Sequence, residues 1–369
     1  VHGGGAVVVL VEDLLVGDWA KGPAGTGEAK WVYNLVPTPP LTAPSLAESW
    51  ELTDPTTMTF HIRKGVRFHD KPPTSGREMT ADDVAFTLNR YWTTPTCYIK
   101  ITYPFAKSIT ATDKWTVVVK ATSPEYTSSV YEMAAQYAWI QPRDMVEKYG
   151  NMRDWKNSCG TGPFMLVDYV SGSAARFKRH PNYWGKDPLR PQNQLPYLDG
   201  IHVLIIPDAS TRYAALRTGK VDILLGLGSE DADSMRKTTP ELKWLEHQAW
   251  TSRALFMRVD KPELPWYDLR VRRALYMAVD LKKIVDTYYG GHADMFTFPI
   301  LPIEEFKDIY IPLEKMPESI RELFEYNPDK AKKLLAEAGY PNGFKAEAVC
   351  YSAEVDWLSI IKDYWSKIG

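Results

Sequence analysis

One stretch, TFHIRKGVRFHDKPPTSGREMTADDVAFTLNRYW at residues 59–92, leaves the chain little freedom over how its first part folds. Phe60 and Ile62 alternate with His61 and Arg63, the period-two signature of a strand with one face on a core. Lys64 and Gly65 supply a turn, a second strand follows, and then a loop broken by Pro72-Pro73. Thr80 then stands three residues before Asp83, a capping box with Asp in place of Glu or Gln. Val84, Leu88 and Tyr91 recur at i, i+4 and i+7 and make one apolar helical stripe. The stretch is strand, strand, loop and capped helix: scaffold without chemistry. His69-Asp70 reads as a turn pair, because one histidine beside one carboxylate lacks the further ligands a metal requires.

The remainder extends this frame. AVVVLVEDLLV, at residues 6–16, is too short and too acidic to cross a bilayer and reads as an early buried strand centred on residues 7–11. No initiator Met or basic n-region precedes it, so the start reads as processed or trimmed. GDWAKGPAGTG follows. It lacks the Gly-Lys-Ser/Thr ending of a phosphate loop, and its lysine precedes most of its glycines. It reads as a flexible loop at a strand end, a place where binding sites are often bordered. ITATDKWTVVVKA gives two strands around an Asp-Lys turn, and GTGPFMLVDYVSGSAARFKRH gives two more around VSGS. PYLDGIHVLIIPD reads as a buried strand, residues 211–218 as a helix stopped by Gly219, and residues 221–225 as a further strand. That order points to an α/β sheet. Residues 254–260 read as a strand. Helices capped by Asp268, Asp280 and Asn327 follow, the last with Pro328 at its first position. VDWLSIIKDYWSKIG closes the chain as a helix with Leu358, Ile361 and Trp365 on one face.

Charge and side-chain chemistry narrow the function. The formal net charge is −2, from 44 Lys and Arg against 46 Asp and Glu, which argues against a nucleic-acid partner held by phosphate contacts. RFKRH, at residues 176–180, reads as a solvated strand face. The 13 Trp and 21 Tyr suit cores and also clefts that grip organic ligands. Cys97, Cys159 and Cys350 show no CxxC spacing, and a Cys97–Cys159 disulfide stays open for an oxidising compartment. The seven His fall in no HExxH, and GTGPF lacks the Ser of a GxSxG elbow, so neither enzyme activity nor a cofactor is expected. GGHAD, at residues 290–294, is the one histidine stretch worth testing for metal, with a turn as the favoured reading.

Taken in order, LAESWEL, TFHIRKGVRFHD, MTADDVAFTLNR, GTGPFMLVDYVSGS, RHPNYWG, PYLDGIHVLIIPD, YAALRTGKVDIL, LRVRRALYMAVD and AKKLLAEAGYPNGF resemble the family 5 extracellular solute-binding proteins, the dipeptide, oligopeptide and nickel-type receptors of ABC importers. The resemblance implies an α/β, two-lobed, periplasmic-binding-protein-like fold of the class with an extra subdomain. Lobe I would comprise residues 1–48 and 157–253, with the β-rich subdomain inserted at residues 49–156. Residues 254–369 would hold the first hinge strand and an incomplete lobe II, because relatives continue beyond WSKIG, and a longer natural protein is expected. It implies capture of a small ligand, a peptide first, with a nickel or other metal-chelate or a sugar as alternatives. The partner would be an ABC permease. The protein would act as a monomer, peripheral to the membrane, in the periplasm or on the outer face of the cytoplasmic membrane, with a lipoprotein anchor among the options. In such folds ligand contacts come from strand-end loops and from the segment entering the hinge. That points to Trp19, Gly226, Trp250, Thr251 and Arg253. Trp19 and Trp250 would wall in the ligand, Gly226 would offer bare backbone, and Arg253 would pair with a carboxylate. Core packing for each Trp and a structural ion pair for Arg253 stand as the competing readings.

Overall fold

The computed structural model describes residues 9–23, 25–29, 41–97, 100, 106–151, 153–246, 253–297 and 299–369, the side chains of Gln136 and Glu305 apart. They fall into two units, Val1–Tyr213 and Ala214–Gly369.

The first unit is built around residues 59–92. β1 (Leu15–Gly17) pairs with β2 (Thr42–Pro44). β3 (Ala47–Asp54), β4 (Thr57–Ile62), β5 (Ala106–Asp113) and β6 (Thr116–Ala121) form an antiparallel sheet in the order β3-β4-β6-β5. β4 is central, so Phe60 lies opposite both Trp50 and Val117. Its burial is nearly continuous rather than alternating. A strand covered on both faces loses the polar-out half of the pattern. α1 (Ala81–Thr93) packs on this sheet through Val84 and Leu88, both fully buried. Helices α2 (Thr127–Gln136) and α3 (Arg143–Tyr149) complete the cover.

The cap of α1 is also an electrostatic hub. Asp83 accepts from the Thr80 amide at 3.1 Å, as the capping box predicts. It also accepts from Arg77 Nη1 and Nη2 at 2.8 and 2.6 Å and from the Arg143 amide at 3.3 Å. Arg77 reaches on to Asp144, with Nη2 at 2.9 Å and Nε at 3.2 Å. One guanidinium therefore ties the start of α1 to the start of α3.

A second sheet, β7 (Phe164–Val170), β8 (Ala174–Arg179) and β9 (Gly200–Leu204), is joined by the Gly160–Gly162 corner. The corner needs glycine for close approach. A Cβ on Gly162 would sit 2.6 Å from the Leu10 carbonyl carbon, and one on Gly160 2.1 Å from the Leu10 oxygen. His69 holds the corner. The Gly160 amide donates to Nδ1 at 3.3 Å, which fixes the tautomer with its proton on Nε2. Nε2 then donates to the Gly162 carbonyl at 3.0 Å. The ring meets His180 edge-on at 4.9 Å, and both histidines are buried. The expected turn pair at His69-Asp70 is thus corrected to an interior clamp. RFKRH is solvated only at Arg176, Lys178 and Arg179, since Phe177 and His180 face inward.

The second unit is helical. α4 (Ala209–Arg217) crosses the boundary between the units, and α5 (Ser229–Thr238) follows it. α6 (Leu269–Met277), α7 (Leu281–Thr287), α8 (Pro328–Glu337) and α9 (Val355–Ser366) come next. Asp268, Asp280 and Asn327 cap α6, α7 and α8 through their side chains, as expected. Val271, Ala274, Met277, Ala331 and Leu335 form one core, and Val279, Ile284, Ile361 and Tyr364 another.

Several strand expectations change. Residues 9–11 form no strand, because the Val9 and Leu10 carbonyls accept from Phe164 and Gly162 at the glycine corner, and residues 7–8 lie outside the described set. The strand expected as buried at residues 196–208 is β9, an edge strand with Val203 and Leu204 exposed. Residues 221–225 and 254–260 join no ladder among the described residues, and Ile223, Leu225 and Phe256 are largely exposed. A strand pattern becomes a strand only when a partner lies alongside. Cys97, Cys159 and Cys350 are free thiols.

Candidate functional site

The expected site residues fall in both units. Trp19 opens a single 3-10 turn, Trp19–Lys21, in the first unit. Asp18 caps it, its Oδ1 accepting from the Ala20 amide at 3.1 Å. The Trp19 side chain is left 65% exposed, so it is not core packing. An indole held out on a capped turn is an accessible stacking surface. Gly226 lies in the second unit at φ +74, and no described residue stands within 4 Å of where a Cβ would be, so its backbone is open to close approach. Trp250 and Thr251 lie outside the described residues.

Arg253, also in the second unit, has a dense environment. Its Nη1 donates to Tyr289 Oη at 3.0 Å and Tyr288 Oη at 3.4 Å. Nε meets Glu354 Oε2 at 3.2 Å. The guanidinium lies 5.8 and 5.6 Å from the centres of the two tyrosine rings, which meet each other edge-on. Burial alone would lower the arginine's pKa, but the tyrosines and Glu354 outweigh it and hold the charge. Glu354 is the N-cap residue of α9, where a carboxylate is favoured by the helix dipole. Arg253 is therefore an ion pair on an aromatic platform, and a ligand carboxylate would have to share the guanidinium with Glu354.

Beside this platform, the turn after α7 carries His292. Its Nδ1 meets Glu246 Oε1 at 2.7 Å, and its Nε2 lies 3.8 Å from Asp233 Oδ2. Arg236 bonds both carboxylates, Asp233 at 3.1 Å and Glu246 at 3.0 Å. Sequence reading misses Tyr288, Tyr289, Glu246 and Glu354.

The first unit holds the other charged group of note. Glu12 accepts from Tyr183 Oη at 2.7 Å and Trp184 Nε1 at 3.1 Å. Arg63 stacks on the Trp184 ring at 4.5 Å. Although Glu12 keeps some exposure as a residue, desolvation of its carboxyl pushes its pKa up to about 7. Burial raises the neighbouring Asp13 as well, and its Oδ1 has no hydrogen-bond partner among the described residues. The buried Cys159 thiol is pushed up to about 12, where it stays protonated and inert. Among the described residues no group of three or more His, Cys, Asp or Glu is placed to hold a metal, and no helix is long and apolar enough to cross a membrane. The arrangement offers aromatic surface, paired charges and open backbone: equipment for binding.

The chain is 34% identical over 330 residues to heme-binding protein A of Haemophilus influenzae, covering 82% of this chain and 55% of that protein. It is 29% identical over 353 residues to the dipeptide-binding protein of Escherichia coli, covering 88% of this chain and 62% of that one. It thus spans between half and two thirds of the length of these relatives. The mixed α/β fold is similar to that of the periplasmic binding protein DppA of Helicobacter pylori, solved with the peptide STSA. The TM-score is 0.74 at 24% identity, over 100% of this chain and 68% of that one. Residues 42–369 match the family described as bacterial extracellular solute-binding proteins, family 5 Middle. The chain belongs to that family.

Proposed function

We propose that this protein is an extracytoplasmic receptor that captures a peptide between two lobes and delivers it to an ABC import permease. The observation that carries the reading is the match of residues 42–369 to the solute-binding family, supported by relatives named for dipeptides and a neighbour solved with a peptide. Residues 1–48 with 157–253 would form one lobe, residues 49–156 its inserted subdomain, and residues 254–369 the crossing and the second lobe. Work is done by closure rather than chemistry. A ligand that contacts both lobes favours the closed form by its differential affinity, and one that contacts a single lobe shifts nothing. Trp19, Gly226, Trp250, Thr251 and Arg253 are the proposed lining. A metal chelate is the second reading, favoured by the 34% identity to a protein named for haem.

The test starts from protein isolated from the cells that express it. Native mass spectrometry should find a peptide mass that leaves on mild denaturation. Di- and tripeptides at a hundredfold excess over Kd should then stabilise the stripped protein by about 2.7 kcal/mol. Stabilisation by hemin alone would select the chelate reading. No shift with either class would overturn both. Within the peptide reading, Trp19→Ala should weaken binding about tenfold, or about 1.4 kcal/mol. It should leave the melting temperature unchanged, because the ring is exposed in the free protein. Unchanged affinity by calorimetry would remove Trp19 from the cleft.

A further inference from the structure

Arg253 is the cation expected to meet a ligand carboxylate, yet the protein's own carboxylate already stands there. Glu354 Oε2 lies 3.2 Å from Arg253 Nε. As the N-cap residue of α9, Glu354 also sits where the helix dipole favours an anion. Its side chain makes no capping bond to the amides of α9, and among the described residues its ion-pair partner is Arg253. Two positive sources that would draw an anion to this point are therefore served from within.

The guanidinium still has donors to give. Nη1 is committed to Tyr289 and Tyr288 and Nε to Glu354, while Nη2 donates to none of the described residues. The Arg253 side chain keeps 38% of its surface in solvent. Each tyrosine oxygen accepts from Nη1, which leaves its own hydroxyl proton to donate. The platform thus offers several donors around an ion pair whose charges sum to zero. A neutral carbonyl can accept from it at no electrostatic cost. A carboxylate would bring a second negative charge beside Glu354.

We propose that Glu354 is a specificity-determining residue: it keeps free carboxylates off Arg253, so that the platform of Arg253, Tyr288 and Tyr289 takes a neutral peptide carbonyl. The substrate class is then a peptide that continues past this point or is amide-blocked there, rather than one that ends on it as a free acid. The assignment rests on the peptide reading.

Competition on the whole chain tests it. A tripeptide library with free carboxyl ends is mixed with an equal amount of the same library amidated, and the peptides that the protein retains are released and weighed. The parent should retain the amidated peptides in excess. Glu354→Gln keeps the shape and an acceptor for Nε but removes the charge. It should shift the retained ratio about five- to tenfold toward the free acids, the scale of a like-charge contact at a partly exposed site. Arg253→Met in the Glu354→Gln background should cancel that shift. A purely structural ion pair would weaken retention of both libraries alike. An unchanged ratio in Glu354→Gln, or a parent that prefers the free acids, overturns the proposal and leaves the peptide reading standing. No retention of either library by the parent or by Glu354→Gln overturns both.

Discussion

Arg77→Met should lower the stability of the first unit by about 3 kcal/mol, the low end of what removing one partner of a buried ion pair costs. The partner left behind is Asp83, 2% exposed beneath the first turn of α1. Its remaining donors, the Thr80 and Arg143 amides and a long bond from the Thr80 hydroxyl, hold it only in part. Arg77 itself keeps 36% of its side chain in solvent, so the Coulombic gain is screened. The loss comes chiefly from the stranded carboxylate, and two further variants separate these contributions. Asp83→Asn in the Arg77→Met background should recover more than 1 kcal/mol, because a neutral amide is cheaper to bury. Asp144→Asn alone should cost under about 1 kcal/mol, since that carboxyl is 29% exposed. Chemical denaturation followed by circular dichroism reads all three. A loss below 0.5 kcal/mol for Arg77→Met would mean that Thr80 and the Arg143 amide satisfy Asp83 without the guanidinium.

Asp83 also shows where sequence reading succeeds and where it stops. Its role as cap was legible because a capping box is a three-residue relation. Its role as hub was not, since Asp144 reaches the same guanidinium from 67 residues away. The same division runs through the chain. Asp268, Asp280 and Asn327 were readable as caps because each bonds an amide two or three residues on. Residues 221–225 and 254–260 looked like strands because their apolar pattern is local, but a ladder is a pairing, and pairing is not in the pattern. In the candidate site, Trp19 could be placed on a strand-end loop from its glycines. Arg253 could be singled out, but not its partners: Tyr288 and Tyr289 lie 35 and 36 residues away. His69 was misjudged for the same reason. Its neighbour in sequence is Asp70, whereas its partners in space are Gly160 and Gly162.

The consequence for His69 is a measurable pH dependence. Burial is the first cause that pushes its pKa down from 6.5 to about 3, and the nearby His180 and Lys71 push the same way. The folded state therefore keeps the ring neutral where the unfolded chain would take up a proton. Stability from this group is complete above pH 6.5 and is lost as pH falls toward 3, by about 1.4 kcal/mol per pH unit. Glu12 works in the opposite sense. Its pKa is raised from 4.5 to about 7, so its contribution is complete below pH 4.5 and is lost as pH rises to 7. Between pH 4.5 and 6.5 the two slopes oppose each other, and the parent curve alone hides both. The difference between the parent and His69→Gln removes Glu12, which both proteins share. Glutamine retains a donor and an acceptor for the glycine corner in poorer geometry, and should cost about 1–2 kcal/mol at pH 7.5. It carries no titrating ring. The deficit should shrink by about 1.4 kcal/mol for each pH unit below 6.5 and reverse sign at about pH 5–6. Urea denaturation of the two proteins from pH 7.5 to pH 4 gives that difference directly. Parallel curves would show that the clamp can accept a proton without releasing the Gly160–Gly162 corner.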